Sequence, residues 1–190
     1  MIEQLLHYDE RLFVYLNSLG SSSFDGFWLW VTNKFTFIPL YAFLLFLIFK
    51  KLGWKTALLI LLLVALMITV TDQMSNVFKS FFERPRPCRV SHLEDVIRFT
   101  APRCGKYGYF SAHAASSMAL AVFIGLILKK HFPKLVFILL FWSALVSYSR
   151  IYVGVHYPLD IITGMCIGGI TGWIFYKIEQ FFTRKYKLNL

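Results

Sequence analysis

Apolar runs long enough to cross a bilayer recur along this chain, and no other feature narrows its fold so far. The purest, Ala57 to Met67, reads ALLILLLVALM. Comparable runs cover about 27–49, 54–82, the stretch after Ser111 as far as Leu128, 135–152 and 159–175. Hydrocarbon offers a peptide group no hydrogen-bond partner, so each run must close its own backbone bonds, and runs of this length do so as helices. The expected fold is an all-α, polytopic membrane helical bundle forming one domain over 1–190. It has about five spans plus an amino-terminal amphipathic helix, or six spans if that helix also crosses. A composition that is 57% hydrophobic excludes an ordinary soluble domain.

Residues 1 to 20 differ from the spans. Ile2, Leu5, Leu6, Leu12, Phe13, Leu16 and Leu19 recur at helical spacing, but Glu3, Asp9 and Glu10 interrupt them. That pattern is too charged to cross and suits a helix lying in the interface. The start carries acidic residues rather than a basic segment and an apolar run, so it does not resemble a cleavable signal peptide.

The formal net charge is +10. The basic residues fall in short clusters between apolar runs, which argues for anionic lipid or a phosphorylated substrate and against nucleic acid. One set of clusters is lysine-rich: Lys50, Lys51 and Lys55 around Gly53, then Lys129, Lys130 and Lys134, then the tail. The other takes in Arg11 of the amino-terminal helix, Lys34 and Lys79, and holds most of the arginines, in the 83–110 loop and at Arg150. The two sets are equal in number. With Lys79, Arg86 and Arg150 set aside as site residues, the lysine turns and the tail fall in the cytoplasm, and the arginine side faces outward.

Three polar stretches interrupt this apolar frame. The first ends the second span. Asp72, Asn76 and Lys79 share one helix face, and the Arg84-Pro85-Arg86-Pro87 run beyond them excludes helix and holds two guanidinium groups on a stiff backbone. In the second, Ser111 is a candidate N-cap, followed by Ala112, His113 and a run of small residues. A slim helix start with free N–H groups is an anion site. The third is Ser149 to Asp160, SRIYVGVHYPLD. Pro158 suits the first turn of a helix, and Asp160 then reaches back four residues to His156. Ionisable groups at span ends are costly and mark function.

All three stretches lie at the same ends of their spans. Together they offer three cations, a helix N-terminus and two imidazoles, which suits a phosphate attacked by one histidine and protonated by the other. Acyl transfer fits worse, because no Ser-His pair is backed by an oxyanion hole. A metal site also fits worse, because carboxylates are few. The chain has three cysteines. Cys166 lies in an apolar run, whereas Cys88 and Cys104 bracket the arginine loop and can bridge if that loop faces an oxidising compartment, or remain two free thiols.

Read together, the three stretches resemble the signatures of the type 2 phosphatidic acid phosphatase superfamily. Lys79, six residues, then Arg86-Pro87 is similar to the first. Phe110-Ser111-Ala112-His113 is similar to the second, usually Pro-Ser-Gly-His. Ser149-Arg150, five residues, His156, three residues, Asp160 agrees with the third at every position. Phe110 and Ala112 depart from the usual proline and glycine, but no reacting group is lost. Arg84 falls one dipeptide before the signature arginine, so its replacement by lysine should be mild.

The resemblance implies hydrolysis of a lipid phosphate or pyrophosphate through a phosphohistidine intermediate, with no metal and no other cofactor. His156 would be the nucleophile, Asp160 its partner and His113 the general acid. Lys79, Arg86, Ser111, the Ala112 amide and Arg150 would bind the phosphate. Small members of this kind resemble bacterial enzymes of the inner (cytoplasmic) membrane, with the site facing the periplasm or outside. Undecaprenyl pyrophosphate is then the first expected substrate, with lipid A and phosphatidylglycerophosphate or phosphatidate as alternatives. A non-catalytic lipid-phosphate binding or transport protein on the same scaffold is the alternative from another class.

Overall fold

A computed structural model describes residues 2–187. Among them are six α-helices: α1 (Ile2–Ser18), α2 (Ser22–Thr32), α3 (Ile38–Phe82), α4 (Ala112–Leu128), α5 (Leu135–Tyr152) and α6 (Pro158–Lys185). Two short 3₁₀ turns lie between α3 and α4.

The 45 residues of α3 are not one rod. Gly53 has φ +79 and ψ 168, outside helical space, and a residue with a side chain rarely adopts that φ. Ile38 and Ile68 line the same cavity, whereas a straight helix would hold residues thirty apart at about 45 Å. The chain therefore doubles back at Gly53 into two arms, 38–52 and 54–82. With the arms counted separately, five helical segments run through the bundle, in accord with the sequence.

The expected first span, 27–49, is the element the structure redraws. Its first residues belong to α2, and the crossing arm starts only at Ile38. Asn33 ends α2, where its Oδ1 accepts from the Phe35 N–H at 3.0 Å, and Pro39 sits in the first turn of the next helix. An asparagine that bonds its own backbone competes with helix continuation. At the other end of the chain, α6 continues past the expected end near Phe175 to Lys185.

Packing centres on α4. Its neighbour α6 presents Gly164, Gly168 and Gly172 to the backbone of Ser111, Ala115 and Ala119, so close that a β-carbon at any of the three would collide. Small residues at four-residue spacing let membrane helices approach in this way. Buried hydroxyl pairs add interhelical hydrogen bonds: Thr71 with Ser116 and Ser117 with Ser143, each at 2.9 Å. Leu61, Leu62, Leu66, Phe137, Ile138 and Phe141 remain exposed, as expected of helices solvated by lipid.

The amphipathic α1 packs by one face of mixed polarity. Asp9, Phe13 and Asn17 are buried along one face, while Ile2, Leu5, Leu12 and Leu19 are exposed. That orientation fits a helix with its apolar side in the membrane interface and its other side on the protein.

The 83–110 loop folds back on itself. Pro85 bridges to Tyr107, the Gly108 N–H donates to the Arg84 carbonyl at 2.9 Å, and the Arg86 N–H donates to the Lys106 carbonyl at 3.4 Å. A disulfide between Cys88 and Cys104, with Cα atoms 6.2 Å apart, closes the same two limbs. Of the two readings left open by sequence, the structure takes the bridge.

Candidate active site

The loop that carries His156 is short and tightly anchored. Pro158 opens α6, as its fixed φ favours, and Tyr157 caps it in extended conformation. Asp160 lies in the first turn of α6. Its Oδ2 accepts the Tyr157 N–H at 3.1 Å and faces His156 Nδ1 at 3.2 Å. Both side chains are buried, His156 at 2% and Asp160 at 0% exposure. A carboxylate suits a helix N-terminus, where unpaired N–H groups and the helix dipole favour negative charge.

His156 lies in the field of Arg86, Arg150 and Lys79. Burial first, and then these cations, hold its pKa well below the ordinary histidine value. A carboxylate only accepts, so Nδ1 is the ring's donor to Asp160, and Nε2 is left directed away from that pair.

Each cation is held by a different element. Extended backbone through the Arg-Pro-Arg-Pro run turns Arg84 and Arg86 to one side. Arg86 donates Nε–H to the Tyr107 carbonyl at 3.0 Å and packs against Gly105, where a β-carbon would stand 3.2 Å from that nitrogen. Arg150, in the last turn of α5, donates through Nη1 to the Thr32 hydroxyl. Its Nε is buried without a partner, an orphaned donor that fits an oxyanion. Lys79, in the last turn of α3, is half-buried.

His113 lies at the start of α4, within electrostatic reach of His156, Arg150, Arg86 and Lys79. Ser111 caps that helix, with its Oγ accepting the Ala114 N–H at 3.4 Å, and its own N–H donates to the Asp160 carbonyl at 3.0 Å. Ser111 is fully buried. The structure therefore gives it a local task, capping α4 and tying α4 to α6, besides the phosphate contact expected of its hydroxyl. Ala112 occupies the first helical position.

All eight residues singled out in the sequence converge at one end of the bundle: Lys79, Arg86, Ser111, Ala112, His113, Arg150, His156 and Asp160. Sequence reading missed four others. Arg84 falls off the signature, yet its Nη1 binds Asp160 Oδ1 at 3.0 Å and its Nη2 binds Asp9 Oδ2 at 2.6 Å. Asp9 shows in the sequence only as a charge on an interfacial helix. Thr32 stood inside the expected first span. Gly108 lies so close that a β-carbon there would sit 3.0 Å from Asp160 Oδ2 and 3.7 Å from His156 Nδ1. Of these, only Arg84 had a signal, its place two residues from Arg86 on a stiff segment.

A cavity of about 810 Å³ opens beside the site, between α2, both arms of α3, α4 and α5. Ala112 and His113 stand at its polar end with Asp72, Asn33 and Lys34. Leu44, Ile48, Ile60, Leu61 and Val64 line its depth. His156 does not line it and lies behind His113. Among the described residues, no three His, Cys, Asp or Glu side chains group as metal ligands.

Comparison with known proteins agrees with this geometry. The family model of the PAP2 superfamily matches residues 57–184, which take in all eight converging residues. The chain belongs to the PAP2 superfamily. It is 36% identical over 188 residues to a lipid A 4′-phosphatase of Bacteroides thetaiotaomicron, covering 97% of this chain and 83% of that protein. It is 38% identical to a lipid A 4′-phosphatase of Porphyromonas gingivalis, covering 93% and 75%. An undecaprenyl-diphosphatase of Sulfolobus acidocaldarius is 30% identical, covering 94% and 82%. Among solved structures, Aquifex aeolicus LpxE superposes with a TM-score of 0.67 at 27% identity, covering 88% of this chain and 93% of its own. A transmembrane PAP2-type phosphatidylglycerolphosphate phosphatase from Bacillus subtilis superposes with a TM-score of 0.74 at 18% identity, covering 93% and 87%, and shows the same fold. As a PAP2 member, this membrane protein is a phosphatase of lipid phosphates, and the non-catalytic alternative is set aside.

Proposed function

We propose that this PAP2 phosphatase removes a phosphate from lipid A, at the 4′ position, by way of a phosphohistidine at His156. The observation that carries the chemistry is the buried His156–Asp160 pair, 3.2 Å apart, in the field of three cations and next to His113. The substrate rests on the two lipid A 4′-phosphatases that align over nearly the whole chain. They favour lipid A over undecaprenyl pyrophosphate, the first expectation from sequence, whose representative is 30% identical. The cavity supports a lipid of either kind, since its apolar depth receives chains while its polar mouth meets the head group at His113.

The reaction follows from the groups present. Arg86, Arg150 and Lys79 hold the phosphate oxygens and offset the charge that develops on them. His156 Nε2 attacks phosphorus, the bond to the lipid oxygen breaks, and His113, in the imidazolium form that the negative charge of the bound phosphate favours, gives that oxygen a proton. Asp160 stabilises the imidazolium that forms as Nε2 is consumed. Water then attacks phosphorus and gives its proton to His113, the P–N bond breaks, and inorganic phosphate leaves with His156 restored. This sequence needs no metal.

We place the site on the outer face of a bacterial inner membrane. The Cys88–Cys104 bridge supports that side, because disulfides persist in oxidising compartments. So do the lysine turns at the opposite end.

The test is a turnover panel with purified protein and a chelator present: lipid A, undecaprenyl pyrophosphate, phosphatidylglycerophosphate and phosphatidate. Lipid A should be the best substrate and lose its 4′ phosphate by mass spectrometry, and His156→Ala should abolish turnover. Faster release from undecaprenyl pyrophosphate overturns the substrate, loss of activity in chelator overturns metal independence, and a fully active His156→Ala overturns the nucleophile.

A further inference from the structure

The interfacial helix α1 reaches the reacting pair through two side chains. Asp160 has two carboxylate oxygens, and both are committed. Oδ2 serves His156 and the Tyr157 N–H, while Oδ1 takes Arg84 Nη1 at 3.0 Å. The second arm of the same guanidinium binds Asp9 at 2.6 Å. The Arg84 side chain is 16% exposed, with Asp9 at 2% and Asp160 at 0%. One planar fork thus joins two buried carboxylates, a geometry that a lysine ammonium does not reproduce.

Other contacts lock the same corner. Arg84 lies over the Tyr157 ring, 4.0 Å from its centroid, and Phe13 of α1 meets that ring edge-on at 5.3 Å. The second oxygen of Asp9 accepts the Leu159 N–H at 2.8 Å, at the N-terminus of α6. Two turns further along α1, Asn17 donates to the Ile151 carbonyl at 3.0 Å and the Tyr152 carbonyl at 2.9 Å, at the C-terminus of α5. One face of α1 therefore fastens both ends of the loop that carries His156. Nothing in this network requires Arg84 to touch phosphate, because both ends of its fork are taken.

We propose that Arg84 and Asp9 are positioning residues for the reaction, a relay by which α1 holds Asp160, and through it His156, in the attacking geometry. This rests on His156 and Asp160 being the reacting pair. Without Arg84, Oδ1 is left buried and unpaired, and the carboxylate is free to turn away from Nδ1. The ring can then adopt the wrong tautomer or orientation, while Arg86, Arg150 and Lys79 still bind phosphate. The loss should therefore fall on kcat and spare both KM and phosphate affinity.

The experiment compares Arg84→Gln, Arg84→Lys, Asp9→Asn and the Asp9→Asn/Arg84→Gln double variant in detergent-solubilised full-length protein. It measures kcat, KM and the inhibition constant of inorganic phosphate. Arg84→Gln should lower kcat about 100-fold with KM and phosphate inhibition within about twofold, and Arg84→Lys should recover roughly a tenth of wild-type activity. Asp9→Asn should cost about fivefold and add nothing to Arg84→Gln, because residues in one network are not additive. A rise in the phosphate inhibition constant on Arg84→Gln, or its loss, overturns the proposal by making Arg84 a phosphate ligand or a fold determinant. Additive losses, or a fully active Asp9→Asn, remove α1 from the relay. His156→Ala on the same substrate separates the two failures. If that variant is active the parent reading falls, and if it is dead while Arg84→Gln is unimpaired only the relay falls.

Discussion

The two ends of the bundle carry similar positive charge and use it in opposite ways. At the end that holds His156, the cations are mostly arginines with named partners: Arg84 on Asp9 and Asp160, Arg86 on Tyr107, Arg150 on Thr32 and Arg98 on Asp25. At the other end they are lysines on turns. Lys50 lies over Phe46, Lys51 over Phe132 and Lys55 over Trp54, with nitrogen-to-centroid distances between 5.8 and 5.9 Å. A guanidinium is a rigid fork that can be aimed, whereas an ammonium on a flexible stem is a hydrated point charge that settles at an interface. Net charge alone would not tell these ends apart, but the side chain chosen to carry it does.

Arg150→Lys should break the contrast most severely. It puts a lysine where a buried fork is needed, and activity on the preferred lipid should fall at least about 100-fold, or about 2.7 kcal/mol. Retention of more than a tenth of wild-type turnover would show that charge without fork geometry suffices.

The disulfide belongs to the arginine end alone. The loop it closes spans a sequence separation of 16, for which loop-closure entropy gives about 3 kcal/mol. Cys88→Ser should lower the midpoint of thermal unfolding and loosen the Pro85–Tyr107 pairing that aims both Arg84 and Arg86. Intact-mass analysis after alkylation without reductant should find only Cys166 labelled in the wild type.

Gly108→Ala tests how tightly this end is packed. A β-carbon 3.0 Å from Asp160 Oδ2 requires the carboxylate or the loop to shift by a few tenths of an ångström. We expect roughly a tenfold loss of kcat from misorientation, with little change in thermal stability. An unchanged kcat would mean that the Asp160–His156 geometry tolerates displacement.

The smallest effect should come from the lysine end. Lys51→Gln removes one exposed charge from a turn, and turnover in detergent should stay within about twofold with stability within about 0.5 kcal/mol. A large loss of turnover would make the lysine turns part of the chemistry and erase the contrast.

The same contrast separates what could be read from the chain without its fold. Lys79, Arg86, His113, Arg150, His156 and Asp160 were legible because each sits at the edge of an apolar run, where an ionisable group stands out against its cost. The His156–Asp160 pairing was legible because its four-residue spacing is local geometry. The contact of Arg84 with Asp160 was not legible, because spacing within a signature says nothing about which of two neighbouring arginines turns toward a carboxylate far along the chain. Asp9 was invisible for a related reason. An acidic residue on an amphipathic helix is ordinarily solvated, and only packing against α6 shows that this one is buried.

The sequence by itself determined that the chain is a membrane helical bundle and that its polar residues gather at one end, because hydrocarbon forbids unpaired backbone and exposed charge wherever they fall. It determined the turn at Gly53, because an absent side chain has local consequences. It also marked a break at Asn33, Lys34 and Pro39 within the first apolar stretch. Tertiary structure alone decided that Cys88 meets Cys104, and that α1 packs its Asp9 face on the site rather than in solvent. Those pairings depend on contacts between residues 16 to 150 positions apart, and no local pattern encodes which distant partner fills a buried hydrogen bond.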